Sequence, residues 1–181
     1  MVTVRAMAQG DVEAVASIRV TGWRTAYAGI VPRSCLDRMT VEADARRHRE
    51  RVTQPGDGRT DLVAVDTDGH VSGWACLGPC RDTDTTAATG ELHALYVRPA
   101  LIGSGIGRTL LRAVHAHARA YGFDQMVLWV LTGNTPARRF YARAGYAADG
   151  AVQTDEYDGV CVPELRYRLA AGALKRPGGA P

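Results

Sequence analysis

Apolar positions along this chain follow two rhythms, and the switches between them mark out its elements. After the short stretch "TVRA", positions Val12, Val15, Ala16 and Arg19 keep a three-and-four spacing behind Asp11, which predicts a strand, a turn and a helix with Asp11 as N-cap. "RTAYAGIVP" extends the helical reading until Pro32, because proline disfavours helical geometry in the residue before it. A polar helix is expected over Val41 to Val52, closed by the loop "TQPGDGRTD". "LVAVDTDGHVSGWACLG" reads as a hairpin of two apolar strands around a Thr-Asp-Gly turn, the second strand carrying Trp74. The polar "PCRDTDTTAATG" then reads as a loop.

The second half is more regular. Glu91 to Val97 is strand-like and ends before Pro99. A helix from about Gly105 buries Ile106, Leu110, Val114 and Ala118 and turns Arg108, Arg112, His115 and Arg119 to water. "QMVLWVL" is apolar throughout, the mark of a strand covered on both faces. "GNTPARRFYARAGY" predicts a helix capped by Asn134 or Thr135, with Pro136 in its first turn, Phe140 and Ala144 packing, and Gly145 ending it. Two closing strands, near Tyr146–Val152 and Val160–Leu169, flank an acidic loop "QTDEYDG". The order predicts an α/β fold with a mixed central sheet of about six to seven strands flanked by helices. One domain is expected over residues 1–169, followed by a small, Gly/Pro-rich tail, 170–181, expected to be disordered.

Composition narrows the function classes. A chain of 181 residues suits one domain with a sizeable core, and 46% hydrophobic with 23% charged residues is the balance of a soluble globular protein. The net charge of +3 is spread along the chain, which argues against a nucleic-acid partner. Lys175 is the only lysine among many arginines, a bias that reads as the imprint of a GC-rich, bacterial genome. No apolar run reaches membrane-spanning length and the opening lacks the layout of a signal peptide, so neither membrane nor export is expected. Cys35, Cys76, Cys80 and Cys161 are scattered, which points to a reducing cytoplasm. "CLGPC" has no second Cys/His pair at ligand spacing, so no metal site is expected.

The chemistry starts at "RPALIGSGIGRTLL", where Gly103, Gly105 and Gly107 alternate just as an apolar strand hands over to a helix. Such a loop suits an anionic phosphate, held by backbone N–H groups and the positive end of the helix dipole. The dinucleotide fingerprint needs glycine at its sixth place, where this chain has Arg108 or Leu110, and the nucleoside-triphosphate loop needs Gly-Lys-Ser/Thr, where it has "GRT". Both are excluded.

A third reading fits. At "IGSGIG", Ile102 to Gly107, the chain resembles the GCN5-related N-acetyltransferase (GNAT) family, whose loop runs Arg/Gln-x-x-Gly-x-Gly/Ala after the fourth strand. Gly105 and Gly107 match, while Ile102 stands where the family has arginine or glutamine. "ELHALYVRP" looks like the family's fourth strand, and "NTPARRFYARAGY" looks like its Asn-to-Gly-Tyr helix, with Asn134, Tyr141, Gly145 and Tyr146 matching. The opening "VRAMAQGDVEAVASIRVTGWRTAYAGIVP" is similar to the first strand and first two helices of many bacterial members, so the resemblance spans about residues 1 to 169.

What the resemblance implies is acetyl transfer from acetyl-CoA to an amine acceptor, a small molecule or a peptide N-terminus, in a fold whose members often form homodimers. Gly103, Ser104, Gly105, Ile106, Gly107 and Arg108 would cradle the pyrophosphate. Leu95, Tyr96 and Val97 would pair with the pantetheine arm, with the Leu95 N–H aimed at the thioester carbonyl. Asn134 would meet the cofactor while capping its helix, and Tyr141 would give a proton to the departing thiolate, unless it is merely a packed tyrosine. Glu91, eleven positions before Ile102, is placed as general base, with His93 on the same strand face and a water chain as alternatives. Trp23, Tyr27 and Trp74 are either core or the wall of the acceptor site, and Asp155, Glu156 and Asp158 around Tyr157 would attract a cationic amine. A non-catalytic acetyl-CoA-binding module is the alternative to an enzyme.

Overall fold

The computed structural model describes residues 2–53, 56, 58–170 and 172–174. Its strands are β1 (Thr3–Ala6), β2 (Thr60–Val65), β3 (Val71–Pro79), β4 (Thr89–Val97), β5 (Gln125–Leu131), β6 (Tyr146–Tyr157) and β7 (Val160–Leu169). Its α-helices are α1 (Val12–Ala26), α2 (Arg33–Arg38), α3 (Val41–Thr53), α4 (Ile106–Ala120) and α5 (Thr135–Arg143). Gln54, Pro55 and Asp57 of the expected loop after α3 lie outside the described residues, as do Ala171 and 175–181 of the tail.

The strands form one seven-stranded sheet in the order β1-β2-β3-β4-β5-β7-β6. Only β4 and β5 pair parallel, and α4 is the crossover that parallel neighbours need. On one face α4 delivers Ile106, Leu110, Leu111, Val114 and Ala118 to a cluster with Met126, Leu128 and Val130 of β5. On the other, Val15 and Ile18 of α1 cover Val63, Val71, Trp74 and Cys76. Cover on both faces is why β5 reads as an unbroken apolar run, since each buried aliphatic side chain contributes about 1.5–3 kcal/mol.

Two irregularities shape the site. Across β3 and β4, Cys76 faces Ala94 while Leu77 faces Leu92, so His93 is an extra residue, and a bulge of this kind bends its strand. β4 pairs with β5 only from Thr89–Glu91 to Gln125–Val127, and past the bulge the two parallel strands part into a wedge. Between β6 and β7, Ala148 faces Tyr167 while Val152 faces Leu165, so the intervening residues loop out. There Asp149 reaches the buried Arg166, which also pairs with Asp82 and Asp84 and so ties the β3–β4 loop down onto the sheet.

Several expectations need correction. The first helix stops at Ala26, the chain turns through Gly29 (φ +78°), and Pro32 opens α2 rather than ending a helix. The Asp11 carboxylate caps no α1 amide. It accepts from Ala8 N–H at 2.7 Å and pairs with Arg5. The acidic "QTDEYDG" is no loop but mostly strand, because β6 runs on to Tyr157 before a tight turn at Asp158 and Gly159. The tail begins inside the fold, with Leu174 buried in the α4 cluster.

His115 does not face water either. It is half-buried, with Nε2 2.8 Å from the Tyr146 hydroxyl, and burial followed by the charge of Arg119 lowers its pKa from 6.5 to about 4. The folded protein then binds fewer protons than the unfolded chain between those values, so stability falls as pH drops from about 6.5 toward about 4. We expect urea midpoints to decline across that window by an amount equivalent to roughly 2 kcal/mol. His115→Gln, which keeps a side-chain partner for Tyr146 without titrating, should flatten the decline. Equal slopes in the two proteins would assign the loss to other groups.

Candidate active site

From β4 the chain passes through a 3-10 turn, Pro99–Leu101, to Gly103 (φ +91°) and Gly105 (φ +92°), the N-cap of α4. These are left-handed conformations that L side chains rarely adopt. A Cβ placed on either glycine meets no atom within 4 Å, so the backbone path and the open space above it, not packing, require glycine. The Thr109 N–H bonds to Gly105 O at 3.0 Å, the first bond of the helix, which leaves the amides of Ile106, Gly107 and Arg108 unpaired at its positive end. The Ser104 hydroxyl donates to Leu101 O at 2.6 Å and stiffens the turn, while Ile102 stands 67% exposed on its rim. The result is an open turn ending in unpaired helix amides, a cradle whose backbone suits an anion without a side chain from position 102.

The start of α4 packs against β4 and α5, since a Cβ on Gly107 would lie 3.5 Å from Phe140 and 3.7 Å from Leu95. The Arg98 N–H bonds to Ser72 O at 3.0 Å, and the alternation of an antiparallel ladder then assigns Tyr96 and Ala94 to the β3-bonded set. Leu95 and Val97 therefore aim their N–H and C=O groups away from β3, toward the side that β5 has vacated. Tyr141 is buried to 8% exposure and packed edge-on to Phe140 and Tyr146. Burial, then the nearby Tyr96, raises its pKa, so the hydroxyl is protonated at neutral pH. Asn134 caps α5, its Oδ1 accepting from Ala137 N–H at 3.3 Å.

On the opposite face an aromatic wall borders the wedge. The Tyr27 and Tyr96 hydroxyls meet at 3.2 Å, and Trp23 sits edge-on to Tyr27 (4.8 Å between ring centres) and Tyr157 (6.2 Å). Gly22 of α1 makes the approach possible, since a Cβ there would lie 2.9 Å from the Tyr96 ring. Trp74 is not part of this wall. It is 2% exposed, stacks beneath Tyr96 and donates Nε1–H to Asp61 at 2.8 Å, which makes it core.

Glu91 and His93 come together as strand alternation expects, but with a partner the sequence did not announce. Glu91 is 1% exposed, and one of its oxygens accepts from both the N–H and the Nε–H of Arg81 at 3.1 Å. Burial alone would raise its pKa, yet the His93 imidazole and the Arg81 guanidinium hold it at about 2. His93 Nδ1 lies 3.3 Å from Glu91 Oε1 without hydrogen-bond geometry, and neither buried ring nitrogen has a hydrogen-bond partner. The contact is therefore an electrostatic one between a buried carboxylate and a buried imidazole. In the β6–β7 hairpin Asp158 is engaged by Arg38 and Ser34, and Asp155 accepts from the Tyr157 hydroxyl at 3.3 Å, so Asp158 is not a free charge for an incoming amine.

This geometry has counterparts in known proteins. Residues 24–146 match the model of the acetyltransferase (GNAT) family. The chain belongs to that family. It is 32% identical over 141 residues to the uncharacterized N-acetyltransferase YuaI of Bacillus subtilis (strain 168), covering 78% of each chain. It is 36% identical over 98 residues to the L-methionine sulfoximine/L-methionine sulfone acetyltransferase of Pseudomonas aeruginosa, covering 54% of this chain and 56% of that one. Its fold is that of yncA from Salmonella typhimurium, solved with acetyl-CoA, at a TM-score of 0.70, 24% identity and coverage of 100% of this chain and 98% of that one.

As a GNAT acetyltransferase, the enzyme takes its acyl group from acetyl-CoA, and the open glycine turn with unpaired helix amides suits that donor's pyrophosphate. No α-helix among the described residues is long and apolar enough to cross a membrane. A hollow of about 710 Å³ near the α1–α2 turn, lined by Arg24, Ile30, Leu36 and Val160 among others, includes none of Glu91, His93 or Tyr141 and lies apart from the chemistry. Sequence reading missed Arg81, which sits ten residues before Glu91 in a polar loop without a pattern to single it out. It also missed Glu164, although Val162, Glu164 and Arg166 alternate onto one face of β7, where an acid between two buried positions is a readable signal.

Proposed function

We propose that this GNAT acetyltransferase acetylates a primary amine of a small molecule or a peptide N-terminus by direct attack within a ternary complex. The reading is supported by one neighbourhood: Gly107 at the start of α4 approaches Leu95 of β4 and Phe140 of α5, and Tyr141, next in the chain to Phe140, lies within electrostatic reach of Tyr96. Acetyl-CoA supplies an acetyl group activated as a thioester. Within the Gly103–Arg108 turn the unpaired amides of Ile106, Gly107 and Arg108 hold its pyrophosphate, Asn134 contacts the arm near the cap of α5, and the free edge at Leu95, Tyr96 and Val97 pairs with the pantetheine as an added strand. The Leu95 N–H donates to the acyl oxygen, where negative charge grows during attack.

The amine arrives with a pKa of about 10 and must shed a proton before it can attack. With its oxygens bound by Arg81, Glu91 is a weak proton acceptor, and its part is to stabilise the positive charge that His93 takes on. His93, directly or through a water, accepts the proton. Tyr141 then gives its proton to the departing thiolate. Trp23, Tyr27 and Tyr157 wall the acceptor side. The relative that acts on L-methionine sulfoximine favours a small amine over a peptide, and four free cysteines suit a reducing cytoplasm.

Thiol release tests the reading. Purified enzyme with acetyl-CoA should liberate free CoA at a rate that rises with the concentration of one or more primary amines, detected with a thiol-reactive dye. Binding of acetyl-CoA without amine-dependent release across a broad panel would leave a binding module instead.

A further inference from the structure

Nearly every carboxylate that this fold withdraws from water is given a cation. Asp11 has Arg5, Asp44 has Arg19 and His48, Asp61 has Arg51, Glu91 has Arg81, and Asp82 and Asp149 share Arg166. Glu164 differs. It is half-buried in the middle of β7, opposite Leu131 at the end of β5, and its partner in the structure is a neutral amide, Gln153 Nε2–H at 2.6 Å. Arg81 lies within electrostatic reach, but its guanidinium is bound to Glu91.

The surroundings of Glu164 are those of the acceptor wall. Its charge acts on the hydroxyls of Tyr27, Tyr96 and Tyr157, and it in turn feels Asp155 and Glu91. Burial, reinforced by Asp155 and Glu91, raises its pKa against the opposing pull of Gln153 and Arg81. A half-buried negative charge without a counter-ion is unfavourable, and a cation arriving from solution relieves that penalty. The Tyr27 and Tyr157 rings, edge-on to Trp23, are the aromatic partners offered to the same cation, since the Trp23 ring already carries the Arg19 guanidinium 5.1 Å from its centre.

We propose that Glu164 is the recognition carboxylate of the acceptor site, binding the positively charged ammonium of the amine between β7 and the Trp23–Tyr27–Tyr157 wall, so that the enzyme selects acceptors that arrive as cations. The proposal rests on the acetyltransferase reading and adds the charge state of the substrate and the residue that reads it. It differs from the acidic-hairpin idea, because Asp158 is spent on Arg38 and Asp155 is bound by Tyr157.

The test compares wild type, Glu164→Gln and, as a remote surface control, Glu42→Gln by thiol release at pH 7, where the aliphatic amines used are mostly protonated. The cationic amines are 1,4-diaminobutane, glycinamide and L-methionine sulfoximine, and the uncharged one is aniline. Glutamine keeps the shape and can still bond to Gln153 but removes the charge. For the best cationic amine we expect KM to rise at least about tenfold, the loss of one charge-assisted hydrogen bond, with KM for acetyl-CoA unchanged. Added salt should raise the wild-type KM and leave that of the variant nearly constant. A merely structural role would weaken aniline turnover too, whereas recognition of charge leaves its KM unmoved. A KM for the cationic amine within about twofold of wild type would overturn the proposal. So would wild-type enzyme that binds acetyl-CoA and acetylates none of the cationic amines. Failure to bind acetyl-CoA at all would instead overturn the acetyltransferase reading beneath it.

Discussion

Tyr141→Phe lowers turnover by about 100-fold or more while acetyl-CoA affinity stays within about twofold of wild type. The expectation follows from where the ring and the hydroxyl act. The ring is buried against Phe140 and Tyr146, and phenylalanine fills the same space, so the wall of the wedge survives. The hydroxyl is kept protonated by burial and by its neighbour Tyr96, and in the proposed mechanism it is the proton source for the departing thiolate. Removing it takes away an interaction made as the C–S bond breaks, which lowers kcat rather than binding. Single-turnover thiol release and calorimetric titration with acetyl-CoA separate the two. Unchanged turnover would deprive Tyr141 of its role and return it to the core.

Gly105→Glu should abolish measurable acetyl-CoA affinity, a loss of about 100-fold or more, through two separable effects. The first is conformational: Gly105 sits at φ +92°, and any side chain there strains the N-cap of α4 by about 1–2 kcal/mol. The second is electrostatic, because a carboxylate placed at the positive end of the helix occupies the position reserved for phosphate. Gly105→Ala carries the strain without the charge, so it should lose much less affinity than the glutamate variant and melt at a similar temperature. Equal affinity for all three proteins would mean that the diphosphate binds elsewhere.

The chain order of the elements, the exclusion of two other glycine-loop chemistries and the positions of Glu91, His93, Asn134 and Tyr141 were legible because each depends on local rules. Helical spacing, β-propensity, caps and the φ demanded of glycine act over a few residues, and "QMVLWVL" or "IGSGIG" carries them in full. The same locality explains the errors. Trp74 and Trp23 look alike as isolated aromatics, and which becomes core was decided by packing: Trp74 is enclosed between α1 and the sheet and bonded to Asp61, while Trp23 faces the hairpin of β6 and β7. The extension of β6 through an acidic segment was set by pairing with β7, which outweighs the weak β-propensity of those residues.

By itself, then, the amino-acid sequence determined a mixed α/β sheet, an anion-binding turn at the start of α4 and the residue types available for acyl transfer. Tertiary structure decided which charges are free. Glu91 became a fixed, ionised carboxylate because the β3–β4 loop, anchored by Arg166, brings Arg81 onto it, and Glu164 was left, among the described residues, with a neutral amide as its hydrogen-bond partner. The physical reason is distance: an ion pair's effect falls off within several ångströms, while Arg81 lies 10 residues from Glu91 and Arg38 lies 120 from Asp158 along the chain. Nothing local in the sequence pairs these residues; the fold does.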